Sequence, residues 1–273
     1  MKKIPVPPVL SPDVKLIDSH CHLDMEPYKN DLDNIIDSAD KCGINRIISI
    51  GIDLASSRKA VTLADLYPAV YATIGIHPHS AEEAGGTIYR NLKKLAAHPK
   101  VVGYGEIGLD YAKQYAPVDI QHKVFADQLD LAKDLHLPVI IHDREAHQDT
   151  MALLREKGPF PTGGVMHCFS GDVELARQVL ELGFYISIPG IVTFKNSADL
   201  QQVVRDIPLD RILLETDGPF LAPVPWRGKT NRPEYLLYTA AKVAELKNIT
   251  IDDVAHQTAL NTIQLFSIAS NPV

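Results

Sequence analysis

Lys15–His22, KLIDSHCH, is a short apolar run that stops on two histidines. The pattern recurs along the chain: RIISI from Arg46, VYATIGIHPH from Val70, VVGYGEIGLD from Val101, LPVIIHDR from Leu137, GGVMHCFSG from Gly163, FYISIPG from Phe184 and RILLETDGP from Arg211. Near-continuous Val, Ile and Leu, without polar alternation, is how parallel strands read when helices cover both faces. Stretches long enough for a helix separate consecutive runs. Eight such units predict an α/β fold, a single (β/α)8 TIM barrel, whose strands all point their C-termini at one mouth. Six potential metal ligands sit where the runs stop: His20, His22, Glu106, His142, His167 and Asp217. A metal site built from strand ends would converge there.

Between the runs, helices are predicted over Asp31–Cys42, closed by Gly43, and over Val118–His136, with Val124, Leu131 and Leu135 at helical spacing. Asp172–Leu182 ends at Gly183, Ala198–Asp206 ends ahead of Pro208, and Pro233–Lys247 opens with proline in its first turn. Ile251–Ile268 is an extra C-terminal helix or an extension of the last one. Residues 1–14 read as a loosely held lead and residues 15–273 as one hydrolase barrel domain, since α/β barrels commonly reach about 250 residues.

Apolar residues at 45% and charged residues at 22% are ordinary for a globular chain. No stretch approaches the roughly 18 apolar residues that span a bilayer. Cys21, Cys42 and Cys168 have no paired spacing, which suits a reducing, cytoplasmic setting, and a monomer is expected because nothing reads as a sustained exposed apolar face. The net charge of −7 is the wrong sign for gripping duplex nucleic acid by a broad basic face. Any phosphate must be bound locally, and bound divalent ions would supply the charge.

His20 and His22 lie two apart at a strand end, so both rings project to one face and reach one ion. Asp18 shares that face, either fixing an imidazole or hydrogen-bonded near the barrel core. Glu106 lies between glycines that let backbone and metal approach, and its two oxygens can bridge two ions about 3.5–4 Å apart. His142 and His167 would complete the second ion's shell. Asp217 can touch a metal and take a proton from the attacking water. Glu215 reads as a supporting hydrogen-bond partner. The bland readings are core histidines and a Glu106–arginine pair.

IDSHCHLD, TIGIHPH, GEIGLDY, LPVIIHDR, HCFSG, ETDGP, RGKTN and the trailing TALN together resemble the TatD-type metal-dependent deoxyribonucleases, a branch of the amidohydrolase-like barrels. The match runs from Lys15 to Ile268; its motifs are specific as a set and weak singly. The resemblance implies two divalent ions, the first held by His20, His22, Glu106 and Asp217, the second by Glu106, His142 and His167. It also implies hydrolysis of phosphodiester bonds in DNA from the 3′ end. Members of the family usually carry serine after the metal-binding aspartate, where this chain has Gly218. Four imidazoles with two carboxylates suit zinc, manganese or iron, whereas the family is usually assayed with magnesium.

Arg144, two residues past His142, can aim its guanidinium at a non-bridging phosphate oxygen, unless it pairs with Glu145 or Asp149. His77 ends the third run and is expected to hydrogen-bond substrate, with His79 left to the loop. Arg227, Lys229 and Asn231 form a basic loop that the resemblance places near the phosphates. Trp226 and Tyr111 can stack on a base or pack on the rim. Cys21 and Cys168, beside ligand histidines, should point away from the metals. The function expected is cleavage of single-stranded or frayed DNA. The alternatives are hydrolysis of a carboxylic ester or amide, such as an aminoacyl ester on RNA, and a barrel that only binds ligand.

Overall fold

The eight apolar runs become eight strands in a computed structural model that describes residues 7–269. The strands are β1 (Leu16–Cys21), β2 (Ile44–Ser49), β3 (Val70–Ile74), β4 (Val101–Asp110), β5 (Val139–Arg144), β6 (Gly164–Met166), β7 (Tyr185–Ile188) and β8 (Ile212–Leu214). They pair in parallel in chain order. A Cys21–Gly218 bridge brings the last strand's extension back to β1, giving a nearly closed TIM barrel. The outer ring is α1 (Leu32–Lys41), α2 (Leu54–Leu66), α3 (Gly86–Ala96), α4 (Val118–Asp134), α5 (His147–Lys157), α6 (Val173–Glu181), α7 (Ala198–Asp206) and α8 (Leu236–Lys247).

Local chemistry sets several boundaries. Asp53 and Ser56 form a reciprocal cap on α2, and Asp172 accepts from Leu175 N to start α6. Pro233 opens a single 3-10 turn, Pro233–Tyr235, and α8 begins only after it. Asn248 in the left-handed region ends α8, so the last segment is a separate helix, α9 (Ile251–Phe266), capped by Thr250 and Asp253. Asn261 on α9 donates to Leu209 O and Ile212 O, both at 2.8 Å. From there Leu265, Phe266 and Ile268 pack with Ile48, Val102, Ile140, Val165 and Leu213 and close one end of the barrel.

The first six residues of the expected lead lie outside the described ones. The remainder is tied down: Ser11 Oγ and N donate to the Asp252 carboxylate at 2.5 and 3.1 Å, and Leu10 packs against the main core. Among the described residues no helix is long and apolar enough to cross a membrane.

Several ligand candidates sit just past their strands. His22 N donates to Gly218 O at 2.8 Å, Asp217 N to His20 O at 2.9 Å, and His167 N to Ile141 O at 3.0 Å. Backbone pairing therefore continues beyond the regular strands and holds the mouth rigid.

Candidate metal centre

Glu106 is buried, and its two oxygens face different groups. Oε2 lies 3.4 Å from His20 Nε2 and 3.8 Å from His22 Nε2; Asp217 Oδ1 lies 3.8 and 3.4 Å from the same two nitrogens. Oε1 lies 2.7 Å from His142 Nδ1, 2.8 Å from His167 Nε2 and 3.4 Å from His77 Nε2. The six residues from strand ends are thus brought together, with one carboxylate oxygen turned to each side. The sides touch where the His20 and His167 rings stack at 3.8 Å.

The glycines flanking Glu106 admit the close backbone approach expected of them. A Cβ on Gly108 would stand 1.9 Å from His142 O, and one on Gly105 2.5 Å from Ile140 O. They admit the backbone of β5, which brings His142 onto Glu106. Asp217 has φ +53, a left-handed conformation costing a non-glycine residue roughly 1–3 kcal/mol, and the turn it makes is closed by Phe220 N donating to its carbonyl at 2.9 Å.

Burial pushes His20 down to about 4, helped by the neighbouring His167 charge. Burial would raise Glu106, but the His167 and His77 charges outweigh it and hold the carboxyl well below its usual range. Burial likewise opposes charge on His22, His142 and His167, yet the adjacent carboxylates lift all three above the ordinary imidazole value. The donor set fits divalent cations. His20 Nδ1 and Nε2, His22 Nδ1 and His167 Nδ1 are buried without a hydrogen-bond partner, a costly state for polar atoms that a coordinated ion relieves at the ring nitrogens facing it. Ligand atoms of His20, His22 and Asp217, of His20, His167 and Glu215, and of His77, Glu106 and His142 each cluster within 4.8 Å. Mixed imidazole and carboxylate donors suit zinc, manganese or iron.

Two carboxylates stand behind the imidazoles on one side. Asp110, fully buried, accepts from His142 Nε2 at 3.1 Å and His79 Nε2 at 2.9 Å, and its backbone is clamped by Gln121 of α4. Sequence reasoning missed it; its even spacing from Glu106 along the strand is the signal that finds it. Glu215 takes the supporting place expected of it: Oε1 accepts from Cys168 N at 2.7 Å and lies 3.4 Å from His167 Nδ1. Asp18 fixes no imidazole. It accepts from Thr216 Oγ1 at 2.5 Å, Thr216 N at 3.0 Å and His20 N at 3.3 Å, tying β1 to the segment after β8, and burial raises it to about 7.

His77 is buried and turned to Glu106, so it stands with the second group, and His79 is drawn in beside it. Arg144 is exposed. Asp149 is engaged by Tyr111 and His122, and no ion pair forms at Arg144 among the described residues. Arg227 and Lys229 are exposed, with the Arg227 guanidinium 4.6 Å from the centre of the Phe194 ring. Asn231 is buried and structural, donating to Thr216 O at 2.7 Å. Trp226 stacks on Tyr235 at 4.9 Å, and the Tyr111 hydroxyl is held by Asp149 and His122. Cys21 packs toward Tyr28 and Gly218 O. Cys168 has a φ of +45, outside strand geometry, and burial, with the nearby carboxylates of Asp217, Glu215 and Glu106, pushes its thiol well above the ordinary value. A Cβ on Gly218 would meet the Tyr28 hydroxyl at 2.3 Å, and that hydroxyl donates to Asn231 O at 2.6 Å.

Comparison with known proteins follows the same geometry. The family described as TatD related DNase matches residues 17–267. YabD of Bacillus subtilis, an uncharacterized metal-dependent hydrolase, is 44% identical over 253 residues, covering 93% of this chain and 99% of its own. YcfH of Escherichia coli, likewise called a metal-dependent hydrolase, is 38% identical, covering 93% and 96%. The crystal structure of YjjV, a TatD homologue from Escherichia coli, superposes with a TM-score of 0.89 at 32% identity, covering 93% of this chain and 98% of that one.

Proposed function

This chain belongs to the TatD-related DNase family of metal-dependent hydrolases, and on that premise we propose that its mouth cleaves phosphodiester bonds in single-stranded or frayed DNA from the 3′ end. The observation that carries the reading is the division of Glu106, with Oε2 turned to His20 and His22 and Oε1 to His142 and His167. That arrangement supports two divalent ions, magnesium, manganese or zinc, one held by His20, His22, Glu106 and Asp217 and the other by Glu106, His142 and His167. When bound, such ions supply Lewis acidity toward phosphoryl oxygens and a lowered pKa for the attacking water.

The chain's own groups supply the rest. Asp217, held at the mouth by its left-handed turn, receives the proton of the attacking water. Arg144, exposed and free of a carboxylate partner among the described residues, offers a guanidinium fork to a non-bridging oxygen and stabilises charge that builds in the transition state. Arg227 and Lys229 extend the cationic path along the rim, while the net charge of −7 favours threading an end over gripping a duplex. The free Cys21, Cys42 and Cys168 suit a reducing compartment such as the cytoplasm.

The test is hydrolysis of end-labelled single-stranded DNA by chelator-stripped protein, titrated with magnesium, manganese or zinc beside Glu106→Ala. Shortening from the 3′ end, restored by metal and absent in the variant, is expected. Metal uptake without cleavage would overturn the reading and make carboxylic esters, aminoacyl-RNA first among them, the next substrates.

A further inference from the structure

Seven large hydrophobic side chains are exposed among the described residues, and two of them are aromatic: Tyr115, 67% exposed, and Phe220, 48% exposed. Exposure of one apolar side chain is ordinary. The position of these two is not. Phe220 lies 6.0 Å from the His22 ring at 70°, and Tyr115 lies 4.7 Å from the His79 ring at 85°. One therefore stands on the side of His20, His22 and Asp217, and the other on the side of Asp110 and His142. Neither pair is stacked, so each aromatic keeps a face that its histidine leaves open. The aromatics that the sequence offered as stacking groups are already engaged, Trp226 by Tyr235 and Tyr111 by His122 and Asp149.

We propose that Phe220 and Tyr115 are base-stacking platforms that receive the nucleobases on either side of the phosphate being cleaved. The inference rests on the phosphodiester reading and names what holds the substrate there. Phosphate is held by positive charge, which in this chain is outnumbered by acidic residues, 27 Lys and Arg against 34 Asp and Glu; a base offers a π-face that any aromatic ring can take, whatever the sequence. An apolar platform on each flank of a polar mouth orients a single strand without a basic surface. Duplex ends would have to fray before either base could stack.

The experiment compares single-stranded oligonucleotides carrying a normal base or a tetrahydrofuran abasic residue at the terminal or penultimate position. Wild type, Phe220→Ala, Tyr115→Ala and Phe220→Trp are assayed with the activating metal. Loss of one stack should raise KM about tenfold on intact DNA. The abasic residue at the matching position should cost wild type a similar factor and cost the alanine variant less than about twofold more. Phe220→Trp should restore KM, separating stacking from any disturbance of His22. If KM is unchanged in both alanine variants, or abasic and intact ends are cut alike, the platforms are wrong while the nuclease reading stands. If wild type cuts no oligonucleotide, both fall together.

Discussion

The two sides of the mouth hold their imidazoles differently. On the side of β1 and β8, His20 Nδ1 and His22 Nδ1 are buried without a hydrogen-bond partner. On the side of β5 and β6, Asp110 accepts from His142 Nε2, and Glu215 stands 3.4 Å from His167 Nδ1, within ion-pair reach though not hydrogen-bonded to it. A carboxylate behind an imidazole fixes its tautomer and raises its basicity toward an ion. The first side has charge in direct reach through Asp217, whereas the second borrows charge through its rings. Equal ligand types therefore do not make equal sites.

The largest effect should come from the group the two sides share. Glu106→Ala should lower turnover by about three orders of magnitude or more and weaken metal at both sides, read by kinetics and by metal analysis of the dialysed protein. Loss confined to one side would break the bridging assignment. Arg144→Ala, on the β5 side, should cost roughly 10²-fold in kcat with metal content intact; metal loss in that variant would make the residue structural.

Asp110→Asn sharpens the asymmetry directly. It should weaken one class of metal site about 10- to 100-fold by calorimetry, and within a His142→Ala background it should add little. An additive effect would show that Asp110 acts elsewhere. The smallest effect concerns a partly buried carboxylate away from the imidazoles, beside Arg232. Glu234 has an unpartnered Oε2, and burial raises its pKa above the ordinary 4.5. The fold thus favours its protonated form, so its contribution is full below 4.5 and is lost as pH rises through the native value. Glu234→Gln should flatten that decline and raise Tm at neutral pH by about 2 °C. An unchanged pH profile of Tm would remove Glu234 from the account.

The strands were legible because parallel strands buried on both faces leave runs such as LPVIIHDR, and the six ligand candidates because a barrel sends every strand end to one mouth. What surrounds them was less so. Glu215 was readable as a supporting partner, two residues before Asp217, whereas Asp110 offers only its even spacing from Glu106 and gains its role from the fold that sets it behind His142. At Cys168 a left-handed φ ends the strand alternation that a sequence reading would extend through it. Tyr115 and Trp226 look equally suited to stacking in a sequence; only tertiary packing covers the second with Tyr235 and leaves the first open. Helices α2, α3 and α5 follow from the spacing between strands more than from any marked stop signal.

Gly218 and Tyr28 lie 190 positions apart in the chain and occupy one space. A side chain at 218 would start 2.3 Å from the Tyr28 hydroxyl, the same hydroxyl that bonds the Asn231 carbonyl at 2.6 Å. The two positions are therefore coupled: any side chain at 218 requires the tip of the Tyr28 ring to move aside and loosen its hold on the Asn231 carbonyl. A serine placed at 218 would thus be felt at the loop that carries Asn231, and its effect on substrate is read cleanly only beside the same serine with Tyr28→Phe.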